Sequence, residues 1–133
     1  MANEAVIIEL FNGGRPIRYT VADGTLIEKG TIMELSDPRT IIANTNDNNP
    51  LVGILAAEKV ASDGQTSVAV YTDGIFDVLT DSGTDIEGTL MANSATENEM
   101  QTADATDLLQ WSFLGHLLEN AGNAEVAAIR VNK

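Results

Sequence analysis

Few residues in this sequence could take part in catalysis. The chain has one histidine, His116, and no cysteine among its 133 residues. A Cys–His pair is therefore impossible, and a Ser–His–Asp arrangement would need His116 as its base, although no Gly-x-Ser-x-Gly turn is present. His116 follows Gly115 in an apolar segment, where a structural or interface role is expected. We predict that the chain is not an enzyme and has no catalytic residues.

The sequence also lacks the usual patterns for metals and cofactors. Without cysteine there is no thiolate site for zinc or an iron–sulfur cluster. No Gly-x-x-x-x-Gly-Lys-Ser/Thr loop occurs, so no phosphate cradle is predicted. Residues 44–50 form an Asn-rich stretch that offers oxygen atoms, but it has one carboxylate and no closing glutamate at calcium-loop spacing. We predict a plain loop there, with no metal and no cofactor.

The charge of the chain is strongly negative and unevenly distributed. The net charge is −13; residues 1–39 carry four basic groups against six acids, and residues 40–133 carry three against fourteen. Such a surface repels phosphate, so we expect no binding to nucleic acid or to anionic lipid. No apolar run approaches the roughly 20 residues that a membrane-spanning helix needs. The acidic part can simply be a solvated surface, or the near-neutral N-terminal part can meet a partner while the acidic part faces water.

A repeated pattern indicates the fold class. The stretch 24–33 (GTLIEKGTIM) returns at 83–91 as GTDIEGTLM, and each copy is followed by an apolar segment, a polar turn and a valine-rich strand. The units cover about 17–74 and 75–132. We predict an all-β fold, a small barrel or sandwich built from two related β-units, forming a single domain over 15–133.

The N-terminal segment stands apart from these units. Residues 5–11 have high β propensity, and Asn12-Gly13-Gly14 then interrupts the chain. The segment can be a core strand or a detachable arm that docks elsewhere. We favour the arm, flexible and covering residues 1–14.

Two stretches of the second unit are harder to assign. Residues 93–106 are polar and alanine-rich, and we predict an exposed excursion there. Over 104–121 the apolar residues fit a helical stripe, yet 113–119 matches the strand at 52–58 in the first unit. We favour a turn or short helix over 104–110 and a strand over 111–119. Trp111 and Phe113 are then expected in the core or at a subunit interface.

Two family resemblances follow from these segments. The repeated glycine–threonine unit resembles the loop–strand element of barrel-sandwich hybrid folds, which include lipoyl and biotinyl carriers; the candidate lysines for such a role are Lys29 and Lys59. Over its whole length, the order of segments resembles the head decoration proteins of tailed phages, also called capsid cement proteins. The segments that carry this resemblance are Ile17–Val21, Leu26–Thr31, Leu51–Leu55, Val70–Phe76 and Leu114–Gly122.

The second resemblance implies a structural protein that stabilises a mature capsid. Such proteins bind the outer surface of the shell, commonly as trimers, and often engage it through their N-terminal segment. It implies the major capsid protein as partner, a homotrimer on the shell, and a location on the virion after a period in the host cytoplasm. Another minor virion protein and a carrier domain remain the alternatives.

Particular residues can be assigned to these contacts as hypotheses. The arm and the basic residues that follow it lie in the least acidic part of the chain, and the two aromatic residues lie near the end of the second unit. The hypothesis for capsid binding comprises Val6, Ile7, Ile8, Leu10, Phe11, Arg15 and Arg18, and that for the subunit interface Trp111 and Phe113.

Overall fold

A computed structural model describes residues 3–10, 15–81 and 87–133 of the chain. The described residues form eleven strands and one short helix. In chain order these are β1 (Val6–Glu9), β2 (Ile17–Thr20), β3 (Ile32–Asp37), β4 (Thr40–Ala43), β5 (Leu51–Leu55), β6 (Ser67–Tyr71), β7 (Asp73–Thr80), β8 (Leu90–Asn93), β9 (Glu99–Thr102), α1 (Ala105–Gln110), β10 (Phe113–Leu117) and β11 (Val126–Asn132).

The first unit closes into a five-stranded barrel. Its strands follow the order β2-β4-β3-β5-β6, and β6 pairs back with β2. The β2–β4 pair is parallel, whereas the other neighbours are antiparallel. The polar segment 61–65 lies in the connection between β5 and β6, which pair antiparallel as a β-hairpin. Closure leaves none of these five strands with a free edge along the sheet.

The second unit repeats this arrangement. Strands β7, β11, β10, β8 and β9 are neighbours in that order, and a parallel β7–β9 pair completes the ring. Each strand from β7 to β11 thus has the same position and the same pairing direction as its counterpart from β2 to β6. The predicted all-β fold of two related units is confirmed. The start of the second repeated motif, at 83–86, lies outside the described residues.

The two barrels share a buried core. One apolar cluster fills the first barrel and includes Met33, Ile41 and Val70. The other cluster fills the second barrel. It also includes Ile32 and Leu51, which belong to strands of the first barrel. Apolar residues therefore join the barrels, because each barrel contributes side chains to the same water-excluded space.

The ambiguous segment 104–121 contains both predicted elements. Helix α1 begins after Asp104, whose carboxylate accepts hydrogen bonds from the backbone N–H groups of Thr106 and Asp107. It ends at Trp111, which adopts a left-handed conformation with φ of 60°. Strand β10 then occupies the position of β5 in the repeat. The prediction of a short helix followed by a strand is confirmed.

The prediction of an exposed excursion over 93–106 is wrong. Strand β9 lies within it and closes the second barrel, and Asn93, Ser94, Asn98 and Met100 are all buried. Polar residues can be buried here because they are hydrogen-bonded: the Asn98 side-chain oxygen accepts from the backbone N–H of Ile32 at 2.9 Å. A polar composition therefore does not show that a segment is exposed, because its side chains can be buried when they hydrogen-bond to backbone groups.

The Asn-rich loop at 44–50 ties the two barrels together. The buried Glu34 carboxylate accepts hydrogen bonds from the side chains of Asn44 and Asn49, at 2.7 and 3.0 Å. From the second barrel, Asn93 donates to the carbonyl oxygens of Asn46 and Asn49, at 2.9 and 3.2 Å. The loop is a polar junction whose amides are largely engaged by protein groups.

Replacing Asn98 tests this junction. Asn98→Ala is expected to lower the free energy of unfolding by about 2 kcal/mol or more, because the buried N–H of Ile32 loses its acceptor. Asn98 also has φ of 59°, so Asn48, exposed and with φ of 64°, is the matched control. Asn48→Ala should cost about 1 kcal/mol or less through backbone strain alone. Equal losses in urea unfolding would show that the hydrogen bond contributes nothing.

Candidate binding surfaces

Of the two lysines considered for a carrier role, Lys59 is buried. Its ammonium group contacts the carboxylates of Asp23 and Asp63 at 3.0 and 2.7 Å and also donates to the carbonyl oxygens of Asp23 and Val60. Its side chain is 0% exposed. Burial lowers the pKa of Lys59, but the hydrogen bonds to Asp63 and Asp23 outweigh this effect and leave it raised. Lys59 is thus a structural cation, whereas Lys29 is exposed at a turn.

Strand β1 lies on the second barrel, where it pairs antiparallel with β7. Its side chains alternate: Ile7 packs against the shared core, whereas Val6 and Ile8 are 60% and 51% exposed. Leu10 also packs against the core, and Phe11 lies outside the described residues. In this structure the described part of the predicted arm is folded onto the protein. The apolar surface that it offers consists of Val6 and Ile8.

The residues before β1 are held against the first barrel. The backbone N–H of Ala5 donates to the carbonyl oxygen of Gly30 at 2.7 Å, and Gly30 leaves no room there for a side chain. The carboxyl groups of Glu4 and Glu28 share a hydrogen bond, which lowers the pKa of Glu4 and raises that of Glu28. The N-terminal segment therefore bridges both barrels.

The predicted basic residues Arg15 and Arg18 lie on the first barrel, away from β1 in the strand order. Both are exposed, and Arg18 donates to Ser67 on β6. Arg39, which was not among the residues predicted for capsid binding, donates to the backbone oxygen of Arg18 at 3.3 Å. Within the described parts of the chain, none of these arginines forms an ion pair. Arg18 and Arg39 thus lie together, whereas no contact joins Arg15 to either of them.

The predicted interface residues Trp111 and Phe113 lie together at the C-terminal end of α1. Trp111 is 42% exposed and Phe113 is half-buried. The Lys133 ammonium lies 4.3 Å from the centre of the Trp111 ring and 4.1 Å from that of Phe113, and donates to the carbonyl oxygens of both residues. Lys133 thus covers part of the aromatic surface, a contact that spacing along the chain does not reveal.

The Lys133 amine should titrate near neutral pH. Burial lowers its pKa from 10.5 to about 7. Since the folded pKa lies below the unfolded one, this group makes folding less favourable below pH 7, and the penalty disappears as pH rises toward 10.5. Carbon-13 NMR of the lysine side chains should show Lys133 titrating near pH 7, well below the ordinary lysine value of about 10.4. A titration of Lys133 at that ordinary value would contradict this environment.

Helix α1 exposes two further apolar residues, Leu108 at 56% and Leu109 at 89%. The helical stripe considered over 104–121 includes Leu108 but not Leu109. Helical spacing alone could not place either residue, because a core-facing stripe about 100° wide can include two adjacent positions. Leu108, Leu109 and Trp111 are thus three exposed apolar residues within four consecutive positions.

The described residues offer little support for a ligand pocket or for a metal site built on carboxylates or histidine. No concave pocket is found among them, and no group of three His, Asp or Glu side chains is placed to hold a metal ion. The one histidine, His116, is exposed on β10 opposite Arg130. Within the described ranges, no helix combines the length and apolar character needed to cross a membrane.

The charge divides between the barrels. Residues 15–72, which hold the first barrel, carry five basic groups against seven acids, a net of −2. Residues 73–133, which hold the second, carry two against eleven, a net of −9. Arg15, Arg18 and Arg39 therefore belong to a different half of the chain from the more acidic barrel.

Comparison with protein-family models and with curated proteins finds no relative of this chain. No family model matches the chain, and no curated protein matches it.

Proposed function

We propose that this chain is a structural protein that binds the outer surface of an assembled tailed-phage capsid and stabilises it by clamping neighbouring major-capsid subunits. It catalyses nothing and uses no cofactor. One observation carries the proposal: the described residues expose apolar side chains on β1 and α1 and form no concave pocket, on a body of two barrels with the negative charge concentrated in one of them. The order of its segments, which resembles capsid decoration proteins, supplies the identity of the partner.

Strand β1 is the surface best suited to the shell. It is an edge strand: β7 is its only strand neighbour among the described residues, and Val6 and Ile8 point outward. An exposed edge with apolar side chains can add a strand from a partner through backbone hydrogen bonds. The segment can engage the shell in its present place, or after leaving β7.

The charge distribution favours the second of these routes, because β1 in its present place lies on the barrel whose residues carry a net charge of −9. A shell-bound protein with its acidic barrel toward water keeps particles apart through like-charge repulsion. The near-neutral half, with Arg15 and Arg18, can approach a protein surface at lower electrostatic cost. A clamp of this kind stabilises the assembled state because it binds that state and not free subunits.

Co-sedimentation tests the proposal. Purified protein is mixed with undecorated, expanded capsids of the phage that encodes it, and separately with unassembled major capsid protein. We expect saturable binding to the capsids only, and weaker binding for Val6→Asp/Ile8→Asp, with Val126→Asp, an exposed valine on β11, as the control. Absence of wild-type binding would refute the proposal and favour another virion role.

The carrier alternative is tested separately. Lys59 is buried, so a lipoyl or biotinyl group would require Lys29. Mass spectrometry of protein from its native source should show an unmodified Lys29. A lipoyl or biotinyl adduct on Lys29 would replace the capsid proposal with the carrier function.

A further inference from the structure

The polar junction around the loop at 44–50 contains buried acceptors that lack donors. The side-chain oxygens of Asn44 and Asn93 accept no hydrogen bond from any described part of the chain, although these residues are only 1% and 0% exposed. Their amide nitrogens both lie 2.9 Å from the carbonyl oxygen of Asn46. Because two covalent bonds separate the oxygen and nitrogen of one amide, both unpaired oxygens also lie beside that carbonyl group. Two such atoms in one place indicate a bound water or cation.

The same junction holds a buried negative charge. Glu34 is 2% exposed, and its carboxylate accepts hydrogen bonds from the side chains of Asn44 and Asn49 and from the backbone N–H of Thr45. No lysine or arginine of the described ranges forms an ion pair with it. Buried carboxylates are normally paired with a basic group or a metal ion, because neutral donors offset only part of the lost hydration. A water molecule would satisfy the oxygens but not the charge, so the junction favours a cation.

The spacing of these atoms matches the ligands of a calcium ion. Ca²⁺ takes about six to eight oxygens from carboxylates, amides and peptide carbonyls at about 2.3–2.6 Å, so neighbouring ligands lie roughly 3 Å apart. A half-turn of the Asn93 amide would place its oxygen 2.9 and 3.2 Å from the carbonyl oxygens of Asn46 and Asn49. The same turn at Asn44 would place its oxygen 2.7 Å from the Glu34 carboxylate. Two carboxylate, two amide and two carbonyl oxygens then make six ligands.

We propose that this junction is a calcium site of low affinity that joins the two barrels. Glu34 and the loop carbonyls belong to the first unit, whereas Asn93 ends strand β8 of the second. One carboxylate with neutral oxygens gives a Kd on the order of 10⁻⁴–10⁻³ M, at the weak end of protein calcium sites. Mg²⁺ is disfavoured because it requires a strict octahedron at about 2.0–2.1 Å. The ion is structural and takes part in no reaction.

The proposed site departs from the sequence prediction of a plain loop without a metal. Residues 44–50 contain one carboxylate, that of the exposed Asp47, and it is not among the proposed ligands. Glu34 lies 10 positions before Asn44, and Asn93 lies 47 positions after Asn46. Only the packing of the two barrels brings these oxygens together, so spacing along the chain does not reveal them.

Metal titration of the purified protein tests the site. Chelator-treated protein is titrated with CaCl₂ or MgCl₂ by isothermal calorimetry in about 0.15 M NaCl, which screens general attraction of cations to the acidic surface. We expect one Ca²⁺ per chain and roughly tenfold weaker binding of Mg²⁺. About 10 mM CaCl₂ should raise the melting temperature by about 5 °C. Glu34→Gln keeps the shape of the side chain but removes its charge, and it should abolish the stoichiometric binding.

Two further variants complete the experiment. Asp37→Asn removes one exposed carboxylate from the same strand as Glu34, and it should bind calcium like wild type. Asn93→Asp adds a second carboxylate to the ligands and should bind calcium roughly tenfold more tightly. No stoichiometric binding by wild type, equal binding by wild type and Glu34→Gln, or no gain in Asn93→Asp would each overturn the proposal. Because no capsid is present, these outcomes are independent of whether the protein binds a shell.

Discussion

Alanine at Gly53 or at Gly115 is expected to lower the free energy of unfolding by about 3 kcal/mol or more, enough to leave much of the protein unfolded. Gly53 lies in β5 and Gly115 at the matching position of β10. A side-chain carbon at Gly53 would overlap the carbonyl oxygen of Tyr71, and one at Gly115 would overlap that of Arg130. The same steric requirement thus recurs in both barrels.

The two glycines lie where the barrels bend. Register shifts mark the pairing of β5 with β3 next to Gly53, and of β10 with β8 next to Gly115. Gly53 also has φ of 140°, a conformation that other residues rarely adopt. Glycine within a strand often marks a tight bend or a close backbone approach. Here the neighbouring backbone, rather than a flexible side chain, would have to move.

Gly24→Ala is the matched control. No atom lies within 4 Å of the position that its side chain would occupy, so urea unfolding should show a change of about 0.5 kcal/mol or less. If Gly115→Ala also changed stability by less than about 1 kcal/mol, the close approach of β10 and β11 described here would be wrong.

Lys59→Met should lower the melting temperature by about 5 °C or more. The substitution keeps the volume of the side chain but leaves the carboxylates of Asp23 and Asp63, and two carbonyl oxygens, without their shared donor. Because the side chains of Asp23 and Asp63 are 38% and 31% exposed, water solvates their charges in part, and the loss is that of the shared hydrogen bonds. Asp23→Asn/Lys59→Met/Asp63→Asn should recover part of the loss.

The pH dependence of this cluster follows from its pKa shifts. Hydrogen bonds from Lys59 and from the backbone of Gln65 lower the pKa of Asp63, so its contribution to stability is present at neutral pH and lost in acid, as pH falls through the folded pKa. The pKa of Lys59 is raised, so its contribution is lost only above its ordinary value of 10.5. Wild type and Lys59→Met should therefore differ most between these limits.

Lys29→Met provides the control, since Lys29 is exposed and follows a glutamate in the same way. Thermal unfolding should show little change. A Lys59→Met protein as stable as Lys29→Met would mean that the ammonium group is not the centre of this cluster.

The fold class could be predicted because it depends on local patterns that occur twice. The segments around Gly53 and Gly115 match in apolar spacing, and each is followed by a turn and a strand, so two related β-units follow from the sequence alone. The match also decided between helix and strand over 113–117, where helical spacing by itself was misleading.

Strand β9 could not be predicted because its burial depends on partners distant in sequence. Asn98 is buried only because Ile32, 66 positions earlier, supplies a donor. The burial of Lys59 could not be predicted for a similar reason: Asp23, which accepts a hydrogen bond from it, is 36 positions away. In both cases the polar side chain was expected to be exposed. A hydrogen bond that forms only in the tertiary structure allows it to be buried instead.

The candidate surfaces were predicted only in part. High β propensity correctly placed a strand at β1, but not its pairing with β7, which turns Ile7 and Leu10 inward. Trp111 was selected for its size, whereas Leu109 is more exposed and Arg39 became visible only through its bond to Arg18. Which residues face water depends on how the two barrels pack.

We propose that the protein binds and stabilises an assembled shell, and scanning calorimetry of undecorated, expanded capsids, with and without saturating protein, measures this stabilisation. We expect a higher disruption temperature that continues to rise with free protein concentration, because only the assembled state binds the protein. An unchanged disruption temperature, at protein concentrations where co-sedimentation shows the surface to be filled, would contradict the claim.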